Sequence, residues 1–486
     1  MQNKIFSGLL GVLLLVAGAC TLPPRPAQQP ASYYWAQVQP LITERRYGQA
    51  TTILEQAAQA YPEDTAFLDR MGQIYLAQRR WLLAEDAFNR ALARHGQDAR
   101  ATAGLAEALF NQGRIGDARR FWLRAASIDP QLPRVFTGLG RTHLQFFDFD
   151  AAKAAFFEQQ RHTTDPDANW YLAALTAPVD LSAAVDFLLA IPSTPAGTGQ
   201  SRTSASPILR RDYLLAALAP YTTETPPVEV AKTTGIALAQ IEQWPLAVHA
   251  LNLALEQSAG SSAAPEAELL AFLAHARAQA GKPALDLFEQ AQAADPDSAL
   301  PLYFEALYLR QQGALNAAAD LFEQAVTLDP ENAAVYIELA RVREQQGDLA
   351  TAEALYAAAT EIAKDELPFQ LLLLKFYANR SYRVEEAGIP LAERLIEADP
   401  NNADVHDLLG WMRFLSGAPD GGEQALRQAL DLDSHSVSAR YHLARYFEST
   451  GQAALAEAEY QRVVDWDISG VLRSQALTGL RRLATE

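Results

Sequence analysis

Cysteine is almost missing from this sequence: there is one, Cys20, in 486 residues. A lone cysteine excludes an intramolecular disulfide and any zinc site built on cysteine pairs. Histidine is sparse too, with eight in the chain, and none falls in an H-E-x-x-H motif. No G-x-S-x-G and no Gly-rich phosphate loop occurs, and Gly281-Lys282 lacks the preceding glycine. Gly138-Leu139-Gly140 follows a predicted helix rather than a strand, so it is not a dinucleotide-binding turn. Positive charge is in deficit: 40 Lys and Arg against 58 Asp and Glu leave a net charge of −18. Loss of a leader whose only charged residue is Lys4 would make it −18 − 1 = −19. Such a balance repels phosphates and argues against nucleic acid as a partner, while suiting basic protein segments.

Residues that could carry chemistry do not cluster. His435 and His442 lie seven apart, which places them on one face of a continuous helix, but Ser434 sits at a turn position. No carboxylate or third ligand is obviously paired with them, so they read as surface histidines rather than a metal site. Glu85-Asp86 are neighbours in sequence and point in different directions on a helix, which suits an exposed face better than acid–base work. No cofactor and no metal is expected.

What the chain has in abundance is small apolar residues at regular intervals; 49% of it is hydrophobic. Ala299 to Pro330 shows the unit. Leu302, Ala306 and Leu309 recur at helical spacing, Gly313 interrupts, and Ala318, Phe322 and Ala325 continue a second helix before Asp329-Pro330. The same pattern opens at Ala31, Thr65, Ala99 and Pro133, three steps of 34 residues. It is lost after Thr164 and returns at Val228, Pro265, Ala299, Ala333, Phe369, Ala403 and Val437. The twentieth position is Ala or Gly in all eleven units, from Ala50 and Ala84 to Gly388, Gly422 and Ala456. Four positions later a large residue follows, as in Leu54, Phe88, Trp122 and Phe156. Gly113, Gly313, Gly347, Gly417 and Gly451 share the fifteenth position, where the first helix must turn back.

This 34-residue helix-turn-helix pattern resembles the tetratricopeptide repeat. The resemblance covers about 370 of the 486 residues and implies an all-α solenoid, a right-handed superhelix in two arrays. The expected organisation is a leader over 1–19, a modified cysteine and Pro-rich tether over 20–30, and a first array over 31–166. Irregular helices and a Ser/Thr/Pro/Gly linker follow over 167–227, then a second array over 228–470 and a capping helix over 471–486. Within the linker, Pro192 to Pro207 has no apolar periodicity and reads as a surface loop exposed to proteolysis. Arg473, Arg481 and Arg482 are available for the exposed side of the cap.

Met1 to Ala19 reads as a targeting leader: Lys4, an apolar run from Leu9 to Ala17, then small residues directly before Cys20. The run is too short to span a membrane comfortably. An ordinary secretory leader would also fit. The stretch resembles the lipobox of bacterial lipoproteins, although Ala17 stands where Leu is usual. That resemblance implies lipidation at Cys20. With Thr21 rather than Asp next, it implies the outer membrane facing the periplasm, or the outer face of the cytoplasmic membrane where no outer membrane exists.

In the repeat family the second, fifth, ninth and twelfth positions of the first helices line a concave groove. The candidate binding residues this implies in the second array are Tyr303, Arg310, Ile337, Arg341, Trp411, Phe414, Tyr441 and Arg445. Aromatic residues beside Arg suit protein recognition, since they bury area and make charge-assisted hydrogen bonds. The first array offers Arg100, Arg134 and Arg141 with Glu107 between them. The Lys and Asn pairs that clamp acidic chaperone tails are absent from the matching positions. The expected function is that of a non-enzymatic envelope scaffold, lipid-anchored, holding a protein or peptide within an assembly or secretion complex. Two other readings are an accessory to a cell-wall or glycan-processing enzyme and a passive spacer. A catalytic role would have to sit among Asp167, Asp180, Asp186, Arg210, Arg211 and Asp212, a set without His or Cys.

Overall fold

The computed structural model describes residues 29–192, 207–258, 263–364, 366–417, 419–467 and 469–484. The leader with Cys20, most of the tether and Ser193 to Ser206 lie outside the described residues. Among those described, 26 α-helices and one π-helical turn form, without a strand, and no helix is long and apolar enough to cross a membrane.

The helices come in antiparallel pairs. Ala31–Thr43 packs on Tyr47–Ala60, Ala66–Ala77 on Trp81–Arg94, Ala99–Asn111 on Ile115–Ile128, and Val135–Gln145 on Phe149–His162. After three intervening helices the pairing resumes with Pro227–Gln240 and Trp244–Gln257, and it continues to Val437–Ser449 and Ala453–Trp466. A single helix, Val471–Leu483, closes the series. The small twentieth residue is where two helices of a pair come closest: Ala50, Ala84, Ala118, Ala152, Ala247, Ala318, Ala352 and Ala456 have no exposed surface. At Gly422 even a methyl group would stand 3.0 Å from the Gly410 carbonyl oxygen. The large residue four positions on is the wedge between neighbouring units. Phe88 is fully buried, and a Cβ on Gly72 or Gly104 would fall 2.6 or 2.3 Å from its ring.

The fifteenth position is left-handed in nearly every unit. Gly113, Gly313, Gly347, Gly417 and Gly451 have φ between 72 and 83°. Arg45, Arg79, Phe147, Glu242 and Arg383 adopt the same turn with φ of 56, 55, 61, 59 and 45°. For a residue with a Cβ this conformation costs about 1 kcal/mol or more, so each of these side chains is kept against a backbone preference.

Between the arrays, Pro166–Thr176, Leu181–Leu189 and Pro207–Leu218 fold back as helices. Trp170, Leu172, Leu188 and Leu214 are buried in one apolar cluster that runs from Leu144 to Phe304. The cluster therefore continues through the aperiodic stretch into the units that flank it. Phe149 and His249 also meet across the gap, with ring centroids 4.3 Å apart.

The two ends of the solenoid touch. The Gly48 backbone N–H donates to the Asp465 carboxylate (3.2 Å), and the Gln78 side-chain amide donates to the Asp465 carbonyl (3.3 Å). Arg473 donates to the Gln78 carbonyl (3.3 Å) and to the Val464 carbonyl (3.1 Å). The sequence makes Arg473 available for the exposed side of the cap; in the structure it reaches across to the second unit. Burial holds the Asp465 carboxyl above the usual carboxylate range. Burial and the nearby Arg80 charge lower the affinity of Arg473 for its proton. Three such hydrogen bonds contribute about 1 kcal/mol each. The triple change Gln78→Ala, Asp465→Ala, Arg473→Ala, which removes these three contacts between the ends, should leave helicity intact and lengthen the particle's maximum dimension in small-angle X-ray scattering. Superimposable scattering curves would mean that the closed shape does not depend on these contacts.

Candidate protein-binding groove

The second-array residues expected in the groove divide into three kinds. Ile337 and Tyr441 are buried, 4% and 7% exposed, and belong to the inter-helix cores. The groove assignment of these two is corrected. The fifth position leans on the twenty-fourth residue of its own unit, as Tyr441 does on Tyr460 (6.1 Å between centroids). Tyr303 leans the same way on Phe322 (5.9 Å) but stays half-buried, and burial pushes its hydroxyl up to about 12.

Trp411 and Phe414 stack on each other, with centroids 5.2 Å apart, and Trp411 stacks on His442 at 4.4 Å. His442 is not a free surface histidine. Its Nδ1 lies 2.7 Å from the Asp407 carboxylate, and the Ser438 hydroxyl donates to the same group. His435 stacks on Trp466 instead (5.2 Å), so the two histidines do not converge.

The arginines on this wall are engaged within the protein. Arg310 (2.9 Å) and Arg341 both pair with Glu338, whose side chain is 10% exposed. Arg445 sits 3.4 Å from the Tyr441 hydroxyl and 3.5 Å from Glu448. Glu448 in turn accepts from the Tyr460 hydroxyl (2.6 Å) and from Arg482 of the cap (2.7 Å). Glu344 repeats that arrangement with Tyr356 (2.8 Å) and Arg380 (2.6 Å). These are ties between successive units. A ligand meeting this wall finds cations already answered by carboxylates.

The first array presents open volume instead. A cavity of about 450 Å³ is walled by Leu76, Phe88, Ala103, Trp122 and Leu132, with Asp69, Arg100, Glu107, Arg134 and Arg141 at its rim. The apolar wall comes from the wedges and from the small residues that face them. Burial, then the neighbouring Asp98 charge, lifts the Asp69 carboxyl to about 6. A second cavity of about 440 Å³ shares Glu107, Arg134 and Arg141 with the first and adds Arg79, Asp167, Tyr171, Arg210 and Glu242. There Arg141 is bound to both Glu107 oxygens (3.0 and 2.9 Å). Burial raises the Glu107 carboxyl, but the Arg141 charge and hydrogen bonds outweigh it and leave that carboxyl below its usual range. Asp167 holds Arg134 at 2.6 Å and also pairs with Arg210. Arg210 lies 4.5 Å over the Trp170 ring, and its Nε has no partner among the described residues.

Arg100, Arg134 and Arg141 are legible as wall residues from their register; Arg79, Asp167 and Arg210 are not. Arg79 stands at the turn position that five other units give to glycine, but so do Arg45, Phe147, Glu242 and Arg383, so no local signal singles it out. Among the described residues no group of three or more His, Cys, Asp or Glu could hold a metal ion.

Family models described as tetratricopeptide repeat match residues 309–375, and also 70–133 and 416–469. Those segments carry tetratricopeptide repeats, and the described residues form an all-α solenoid. Such repeats generally mediate protein–protein interactions and typically build non-enzymatic scaffolds. No curated protein matches the sequence. Solved structures similar to the chain include yeast Tom70, at 14% identity over 87% of this chain and 96% of that one, with a TM-score of 0.41. A tetratricopeptide repeat protein from Parabacteroides merdae is 13% identical over 53% and 98%, with a TM-score of 0.41. The Cut9–Hcn1 hetero-tetramer of APC/C is 15% identical over 94% and 97%, with a TM-score of 0.38.

Proposed function

We propose that this protein is a lipid-anchored scaffold of a bacterial cell envelope that holds a protein or peptide partner along its inner wall, as part of an assembly or secretion complex. The observation that carries the binding role is the open, two-chambered groove that starts on the first array's inner face and continues onto the intervening helices and the turn at 241–243. Of the arginines around it, Arg134 and Arg141 tie Asp167 and Glu107, whereas Arg79 and Arg100 have no ion-pair partner among the described residues. The anchor rests on sequence: the chain's one cysteine follows Ala17-Gly18-Ala19 at the end of an apolar leader. A diacylglyceryl group with an amide-linked acyl chain holds a protein stably at a membrane, where one chain alone is marginal. The reading places the solenoid at the outer membrane facing the periplasm where the cell has one.

Cys20→Ser should leave the helical content unchanged and move the protein from the membrane pellet to the soluble fraction. A Ser variant that still pellets would remove the acyl anchor from this reading. The partner is sought by crosslinking the anchored protein in its own membrane. Crosslinks that map only to the convex face would remove the groove.

A further inference from the structure

The two confluent chambers differ in chemistry in a way that defines a ligand. One is apolar, floored by Leu76, Ala103 and Leu132. The other gathers the guanidinium groups of Arg79, Arg134, Arg141 and Arg210 against the carboxylates of Glu107, Asp167 and Glu242. Four cations and three anions leave 4 − 3 = +1 in that chamber, within a chain whose net charge is −18. A carboxylate would neutralise it.

Two further observations point the same way. Arg210 lines this chamber at 7% exposure, and its Nε, like those of Arg310 and Arg440, has no partner among the described residues; a buried unpaired donor calls for a missing acceptor or a rearranged neighbour. Arg79 has no ion-pair or side-chain hydrogen-bond partner among the described residues. It also holds the left-handed turn (φ 55°) that glycine takes in five units and Arg45, Phe147, Glu242 and Arg383 take in four others. Of these five residues only Arg79 and Glu242 line the second cavity, and Arg79 is the cation there without an ion-pair partner among the described residues.

We infer that the first array takes an extended peptide in which a carboxylate side chain lies beside an aliphatic or aromatic one. The acid enters the chamber beside Arg79 and Arg134, and the apolar neighbour enters the hollow over Leu76 and Ala103. This rests on the reading of the groove as a peptide site and adds the ligand's chemistry.

The test is a phage-displayed random dodecapeptide library selected on the full-length chain, with the enriched peptides titrated by fluorescence anisotropy. Enriched sequences should share Asp or Glu next to an apolar residue, and binding should weaken as salt is raised. Arg79→Gly should lower affinity at least tenfold while melting at the same or a higher temperature, since glycine relieves the turn. That split separates a ligand contact from a folding defect. Enrichment of basic or uncharged sequences, or acidic peptides that bind Arg79→Gly as well as the parent, would overturn the ligand chemistry and leave the scaffold standing. No enrichment over a protein-free control would overturn the peptide-groove reading, and this inference with it.

Discussion

Phe88→Ala should destabilise the first array by roughly 3 to 5 kcal/mol, the cost of emptying a large buried site that cannot collapse. The ring has no exposed surface. It is gripped from two sides by residues that already lack a side chain, since a Cβ on Gly72 or Gly104 would overlap it. Neither glycine can move to fill the void without dragging its helix, because each sits in the middle of one. The loss should also spread: a solenoid is stabilised by contacts between neighbouring units, and Phe88 joins the second unit to the third. The measurement is the urea midpoint followed by circular dichroism, with Leu82→Ala as the comparison. Leu82 is 73% exposed at the start of the same helix, and its loss should fall within about 0.5 kcal/mol. Equal midpoints for the two variants would mean that the unit is not closed around this ring.

That wedge was legible in the sequence because two independent spacings agree on it, the small twentieth residue and the large one four positions later. Repeats are readable for that reason: each unit restates the same packing problem, so the pattern survives local variation. The turn residue was half legible. Five glycines announce a left-handed position, whereas Arg45, Arg79, Phe147, Glu242 and Arg383 take it without any sign in their own identity. Only the register reveals them.

The groove was less legible, for reasons of direction and distance. The register places position five on the groove wall, yet Tyr441 and Ile337 turn into the core, because the side chain follows the wedge of its own unit. Asp167 and Arg210 stand 43 residues apart in the stretch with no period, and nothing local pairs them. The contact of Gly48 with Asp465, across 417 residues, sums the rotation of every unit between. No local pattern encodes such a sum.

The Asp167–Arg210 pair carries the second large effect. The Asp167 side chain is 12% exposed and that of Arg210 8%, so both charges are held away from water and depend on each other. Asp167→Leu should cost roughly 3 to 5 kcal/mol, because it strands a buried cation that already has one unanswered N–H. Arg134, the other partner of Asp167, contributes little to that cost, since its side chain is 59% exposed and can turn to solvent. Arg210→Met should cost less, about 1 to 2 kcal/mol, because Asp167 keeps Arg134 and the new side chain still covers Trp170. The double variant distinguishes a charge effect from a packing effect. If stranding the cation is the cause, Asp167→Leu with Arg210→Met should recover to within about 1 kcal/mol of the parent, as apolar replacements of buried ion pairs often do. Urea midpoints of the four proteins give the coupling directly. A double variant no more stable than Asp167→Leu alone would mean that the loss comes from packing around Pro166–Thr176, and that the buried pair is not what fixes the middle helices.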